Sequence, residues 1–344
     1  MLTVFTLEKT EQWDLIVRSF KEYDVYWLSG YVKAFQIHGD GEPLLFFYDD
    51  AHTRGINVVM KRDVAKDVHF KEVIPEHTYY DFCTPYGYGG WLIEGDNTDN
   101  LFSTYEDWLE KNGIICEFVR FHPLVKNHLK CSAFYEVTQL GEVVHMDLSS
   151  PEVIWNNIIS KNRNMIRKAI KNGIKIYNGR FPEIFDKFIS IYNLTMLNDN
   201  AKEYYLFQKP FYDSILNDLP QNAQIFWAEK DDKIIAASIM LQANGRMNYH
   251  LSGSLREYNS FAPGNLLLFQ AALWGNSNGC QTLYLGGGVG SGEDGLLRYK
   301  RSFFRGDLNH FSIGTAIYCH KKYEYLLKIR SGIETSSFFP KYRG

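Results

Sequence analysis

The sequence is short of everything that would staple it, anchor it or bind a metal. It has five cysteines, Cys83, Cys116, Cys131, Cys280 and Cys319, with no C-x-x-C pair among them. This excludes a disulfide framework and a zinc ribbon. The longest continuous apolar stretch, IIAASIML at Ile234 to Leu241, is far shorter than the ~18 residues a membrane span requires. The opening residues MLTVFTLEKTEQWD lack the basic and then apolar pattern of a signal peptide, so the expectation is a reduced, cytoplasmic protein. The ten histidines form no H-E-x-x-H, and no Ser-His-Asp spacing occurs, so no metal site is expected. Excess charge is also missing: the net is −3.

What is present is globular. The 344 residues are 45% hydrophobic and 22% charged, enough for roughly two domains. Aromatics reach 16%, with 23 tyrosines, whose apolar bodies and polar tips suit cores that border clefts. The small net charge is a cancellation. Residues 1–145 carry 13 Lys and Arg against 23 Asp and Glu, and residues 146–344 carry 24 against 17. The halves are therefore −10 and +7, and only the second is suited to phosphates.

Periodicity alternates strands and helices. Strands are expected at Leu2 to Leu7, Pro43 to Asp50, Gly55 to Arg62 and Ile114 to Phe121, with helices around Trp13 to Phe20, Tyr31 to Ile37 and Leu101 to Leu109. Gly141-Glu142 reads as the turn of a hairpin. Ser150-Pro151-Glu152 is a strong helix start, and the helix is expected to run to Asn172. Helices at Phe181 to Met196 and Lys209 to Leu216 precede a meander of strands at Gln224 to Glu229, Lys233 to Leu241 and Arg246 to Ser252. A helix from Asn265 to Ser277 and the strand TLYLGG follow. Both halves share this rhythm, which suggests two related α+β domains.

Five constellations could carry chemistry. Lys161 to Lys175 holds six basic residues, and no acid occurs between Glu152 and Glu183. Arg163, Arg167 and Lys171 share a helical face and, with Lys168, form a ridge for phosphates, or simply a solvated face. At Gly264-Asn265 a helix opens after a Pro-Gly loop, where free N–H groups could hold a pyrophosphate. Six of the ten residues from Gly286 to Gly295 are glycine, without the G-x-x-x-x-G-K-[ST] of a P-loop. Gly286 and Gly287 would let backbone approach a ligand, and Lys300 beyond them could stabilise an oxyanion. Tyr249 or His250 could move a proton. Tyr86 and Tyr88, shaped by neighbouring glycines, could wall a sugar or peptide site, or form a packed loop.

Four segments in order resemble a known group. They are Y-D-x-x-x-P-Y-G-Y-G-G at Tyr80 to Gly90, R-N-x-x-R-K-A-x-K-x-G at Arg163 to Gly173, Y-H-L-S-G-S at Tyr249 to Ser254, and L-G-G-G with R-Y-K-x-x-F at Leu285 to Phe303. Together they are similar to FemABX-type transferases and their BioF2-like acyltransferase relatives in the GNAT superfamily. The resemblance implies an α+β fold of two tandem GNAT-like domains with mixed, largely antiparallel sheets. These would be residues 1–145, joined by a returning segment 310–344, and residues 146–309. It implies an acyltransferase that moves an acyl or aminoacyl group from acyl-CoA or aminoacyl-tRNA to an amine. The acceptor would be a nucleotide sugar, an amino sugar or a peptidoglycan precursor, and no tightly bound cofactor or DNA is involved. Lys300 would be catalytic with Tyr249 and His250. Arg163, Arg167, Lys168, Gly264, Asn265, Gly286 and Gly287 would bind the donor, and Asp81, Tyr86 and Tyr88 the acceptor. No heptad arm of the kind some tRNA-dependent members carry is present. A GNAT-like pyrophosphate loop Q/R-x-x-G-x-G/A is not matched either. A non-catalytic sugar- or peptide-binding module on the same fold is the rival from another class.

Overall fold

The computed structural model describes residues 1–330 and 338–344, and it divides into two compact units. The first is Met1–Leu140 with Phe311–Gly344, the second Gly141–His310. Of the segment 310–344 expected to return to the first domain, residues 331–337 lie outside the described residues.

The first unit contains β1 (Leu2–Phe5), α1 (Thr10–Arg18), α2 (Ser29–His38), β2 (Glu42–Asp49), β3 (Arg54–Asp63) and β4 (Tyr80–Cys83). It continues with β5 (Leu92–Glu94), α3 (Asp99–Lys111) and β6 (Ile114–Phe121). Its sheet order is β1-β2-β3-β4-β6, with β5 on β3, and every pair is antiparallel except β4–β6. The chain leaves through β7 (Glu136–Asp147), which runs on into the second unit. That unit holds α4 (Pro151–Asn157), α5 (Ser160–Lys171), β8 (Lys175–Gly179), α6 (Pro182–Asn198), α7 (Lys209–Asp218) and β9 (Ala223–Lys230). β10 (Lys233–Ala243), β11 (Arg246–Ser254), α8 (Pro263–Ser277), β12 (Thr282–Gly286) and α9 (Gly295–Arg301) complete it. Its sheet order is β7-β12-β11-β10-β9-β8, with β11–β12 the parallel pair. β13 (Asn309–Ile317) then pairs antiparallel with β6, and α10 (His320–Ile329) follows.

The two units repeat one plan. A helix pair leads into an antiparallel run of strands, a helix crosses to a parallel strand, and an antiparallel strand closes the sheet: β13 on β6, β7 on β12. This is the twice-repeated, mixed α+β architecture expected from the sequence. The parallel step requires a crossover, and α3 and α8 supply it. In the second unit α8 packs its leucines Leu266, Leu267 and Leu268 into a core with Ile154, Ile166, Phe226 and Met247.

Two expectations are corrected. Gly141-Glu142 is not a hairpin turn, because β7 passes straight through it. Glycine is needed there for closeness: a Cβ on Gly141 would strike the Ser291 carbonyl. The single helix from Ser150 to Asn172 is two helices. Ile158 and Ile159 take extended conformations, and the Ile159 N–H donates to the Ser302 carbonyl at the end of α9. Tertiary contact ends α4 where local propensity would continue it. The start of α4 is as expected, with the Ser150 hydroxyl accepting from the Val153 N–H at 3.1 Å.

Candidate active site

The second unit's sheet opens at its one parallel pair. β11 and β12 are in register only over Arg246–Thr282, Met247–Leu283 and Asn248–Tyr284. Beyond Tyr284, Gly286 pairs with Val144 of β7, and β11 stays on β10 with a bulge beside Tyr249 and His250. The two strands therefore part after Asn248. Helix α8, which connects them, has its N-terminus at that end. Strand ends next to a crossover helix are where open sheets of this kind take ligands.

Lys300 is set at this opening. The Asp294 carboxylate starts α9 by accepting from Leu297 N–H at 2.8 Å and from Val289 N–H at 2.9 Å. One face of the short helix then turns inward, burying Leu297 and Lys300. Lys300 Nζ donates to the Gly287 carbonyl at 2.7 Å. Burial pulls its ammonium down to about 8, with Asp294 opposing the shift. Gly286, at φ +79, would carry a Cβ 3.3 Å from that Nζ, and a Cβ on Gly287 would meet the Glu142 carbonyl. These glycines thus shape the seat of Lys300 against β7.

Tyr249 stands where the strands separate. Its phenol is raised by burial and drawn back by hydrogen bonds with Ser252 and Ser238. Tyr299 of α9 faces it electrostatically, and the Tyr299 hydroxyl comes within 3.2 Å of where a Gly264 side chain would begin. Tyr249, Tyr299 and the start of α8 therefore lie together, and Lys300 follows Tyr299 on α9. His250 is different: burial pulls its imidazole down to about 3. The ring is neutral at working pH and a weak base, poorly suited to the proton transfer expected of it.

The start of α8 offers less than the sequence suggests. Ala262 opens it at φ +59, Pro263 carries no N–H, and the Asn265 N–H is bonded to the Ala262 carbonyl. The Asn265 side chain donates to Asn162 Oδ1 at 2.8 Å. Asn162 in turn donates to the Ser302 carbonyl and hydroxyl at 3.2 and 2.8 Å, so it pins α5, α8 and the end of α9 together. Beside it on α5, Arg163 and Arg167 lie over the Trp155 ring, with guanidinium carbons 5.8 and 5.1 Å from the centroid. Arg167 and Lys168 are exposed, Arg163 is half-buried, and none of the three meets an acid among the described residues.

In the first unit the expected acceptor residues are placed differently from one another. Asp81 is fully buried, with Arg62 at 2.6 Å and Arg343 and the Tyr342 hydroxyl each at 2.7 Å. The opposing guanidiniums and these hydrogen bonds hold its carboxyl below the usual range against the cost of burial. Its oxygens are engaged inside the unit, so a structural role replaces the expected acceptor contact. Tyr86 and Tyr88 are half-buried rings: Tyr86 packs on Phe35, and Tyr88 packs on Tyr26, His122 and Phe311. The parallel pair of this unit is also closed. Thr84 N–H donates to the Phe118 carbonyl at 3.0 Å, Arg120 N–H to Thr84 Oγ1 at 3.1 Å and Gly89 N–H to the Arg120 carbonyl at 2.8 Å. The Pro85–Gly90 loop thus zips along β6 where β11 and β12 part.

Comparison with known proteins agrees with this asymmetry. Residues 160–301, which contain the opening, match the acetyltransferase (GNAT) domain family. That segment is a GNAT-type domain by its match, and the chain as a whole has the fold of FemX. The crystal structure of FemX aligns with 94% of this chain and 99% of its own at TM-score 0.69 and 11% identity. L-PGS from Bacillus licheniformis aligns over 89% and 90% at TM-score 0.54 and 14% identity. A tandem GNAT protein from the clavulanic acid biosynthesis pathway aligns over 92% and 98% at TM-score 0.50 and 8% identity. No curated protein sequence matches.

Sequence reasoning missed Asn162, the Ser238–Ser252 hydrogen bond and the place of Tyr299 beside the start of α8. Asn162 sits one residue before the R-N-x-x-R segment, and a buried asparagine in a basic helix is a signal only once its partners are known. Ser238 reads as one small residue inside an apolar strand. No helix among the described residues is long and apolar enough to cross a membrane.

Proposed function

We propose that the second unit transfers an aminoacyl group from aminoacyl-tRNA to an amine of a cell-wall precursor or surface sugar. The observation that carries the reading is the parted β11–β12 pair with Lys300 and Tyr249 at its mouth. The acceptor nitrogen attacks the ester carbonyl. The Lys300 ammonium stabilises the oxyanion, and the Tyr249 hydroxyl gives its proton to the departing oxygen. Two features favour an ester on RNA over a coenzyme A thioester. The first turn of α8 has few donors left for a pyrophosphate, and the Arg163–Arg167–Lys168 ridge adjoins it through Asn162.

Filter retention of charged tRNA over a salt series tests the donor. Affinity is expected to fall steeply with salt, and Arg163→Ala/Arg167→Ala should flatten the log–log slope by about 2. Retention independent of salt, or coenzyme A binding by calorimetry in the absence of tRNA retention, would overturn the tRNA reading in favour of an acyl-CoA donor.

A further inference from the structure

A cavity of about 440 Å³ lies within the first unit, whereas Lys300 and Tyr249 belong to the second. Tyr323 and Leu327, one turn apart on α10, line it together with Thr315 of β13, Phe339, Lys341 and Glu136, the first residue of β7. Its apolar wall is fixed by its own contacts. The Phe339 ring stacks on Tyr323 with centroids 6.0 Å apart, and the Tyr323 hydroxyl accepts from the Lys341 N–H at 2.9 Å. The charged lining is not fixed in this way. Glu136 and Lys341 are exposed and opposite in charge, yet neither makes an ion pair among the described residues, with the other or with any third group. Arg343, two residues beyond Lys341, is by contrast held by Asp67 and Asp81. An acid and a base that line one cavity without touching leave room between them for a molecule that carries both charges.

We propose that this cavity binds a small zwitterion with an apolar side chain, an apolar α-amino acid or a short peptide of such residues. Lys341 takes the carboxylate and Glu136 the ammonium, and charge-assisted bonds of this kind are the strong ones. Tyr323, Leu327 and Phe339 take the apolar side chain, while Thr315 and His320 offer further hydrogen bonds from the lining. The volume falls in the range of small-molecule sites, about 300–1,000 Å³. Other ligand classes fit the lining less well. A neutral sugar leaves both charges without a partner, an anion meets Glu136, and a cation meets Lys341. The site does not depend on the transfer reaction proposed above, since none of its residues takes part in that step.

The test is binding to the full-length protein, measured by calorimetry and by ligand-observed NMR. The probes are L-leucine, L-leucyl-L-leucine and two analogues of leucine: isoamylamine, which lacks the carboxylate, and isocaproate, which lacks the ammonium. A zwitterion is expected to bind once per chain, and the tighter of the two tells a free amino acid from a peptide. Each analogue should bind about tenfold more weakly or worse, because one charge of the cavity is left without a partner. Lys341→Ala should remove the advantage of the zwitterion over the amine, and Glu136→Gln its advantage over the acid. Both side chains are exposed, so the variants are expected to unfold at the wild-type temperature. Arg163→Ala/Arg167→Ala, in the other unit, should leave this binding unchanged. The proposal is overturned if neither zwitterion binds, if isocaproate or isoamylamine binds as tightly as the zwitterion, or if both charge variants keep the wild-type preference. Loss of binding in the double arginine variant would also overturn it, by placing the ligand in the second unit.

Discussion

Lys300 is costly to bury, and the role proposed for it in the reaction sets that cost against a use. Its ammonium is held at about 8 by burial, against 10.5 for a free lysine. Between those values the unfolded chain binds more protons than the folded one, so stability rises with pH across that window. At pH 7 the charge is present in both states, and folding carries its desolvation. Lys300→Met should therefore stabilise the protein by about 2 kcal/mol at pH 7, a gain that closes as pH approaches 10.5. Thermal unfolding at the two pH values checks this. The same variant should lose roughly 10²- to 10³-fold in kcat, as when an oxyanion donor is removed. Wild-type turnover should also decline above about pH 8, where Lys300 gives up its proton. A gain in stability together with a loss of turnover is the outcome expected if Lys300 has the proposed role.

At the scale of elements, the site depends on three helices that meet through one amide. Asn162 of α5 reaches Ser302 at the end of α9 and receives Asn265 of α8. Asn162→Ala leaves the part-buried Asn265 amide without its acceptor and Ser302 with one partner fewer, so a loss of about 1–3 kcal/mol is expected in denaturant unfolding. Because α9 carries Lys300, kcat should fall as well. The sequence marks the helices but not their joint. Their apolar spacing and caps are local, whereas Asn162 and Ser302 are 140 positions apart. The break between α4 and α5 has the same origin: nothing at Ile158-Ile159 disfavours a helix until Ser302 offers its carbonyl.

At the scale of the whole chain, two units with one plan differ in what their parallel pair does. β4–β6 is zipped by Thr84 and Gly89, and β11–β12 is parted. Calorimetry should therefore find one donor bound per chain, and two would contradict this account. The first unit instead spends its buried polar groups on holding itself together. Asp81 anchors Arg62, Arg343 and Tyr342 there. Asp81→Asn would leave two guanidiniums half-paired, with an expected cost of about 3–5 kcal/mol. The wild-type carboxyl is depressed, so its contribution is present above the usual carboxylate range and lost as pH falls through its folded value. A steeper acid denaturation curve than that of the Asn variant is the measurable sign.

The sequence by itself determined what depends on near neighbours. It determined the strands and helices with clear periodicity, the Ser150 cap, the basic run on α5 and the inequality of charge between the halves. Four ordered motifs were enough to mark the GNAT-like plan and to put forward Lys300, Tyr249 and His250 as candidates. Only the tertiary structure decided which of the marked residues are free to act. It put Asp81 in an ion cluster, made Asn265 a packing contact and turned Gly141 from a turn into a close approach. It also set Ser238 opposite Ser252, two positions along β10 from the pair of Met240 with Tyr249. The physical reason is range. Capping and amphipathic spacing act within a few residues, but burial, pKa and hydrogen-bond partners come from chain that is distant in sequence and meets only when the sheets assemble.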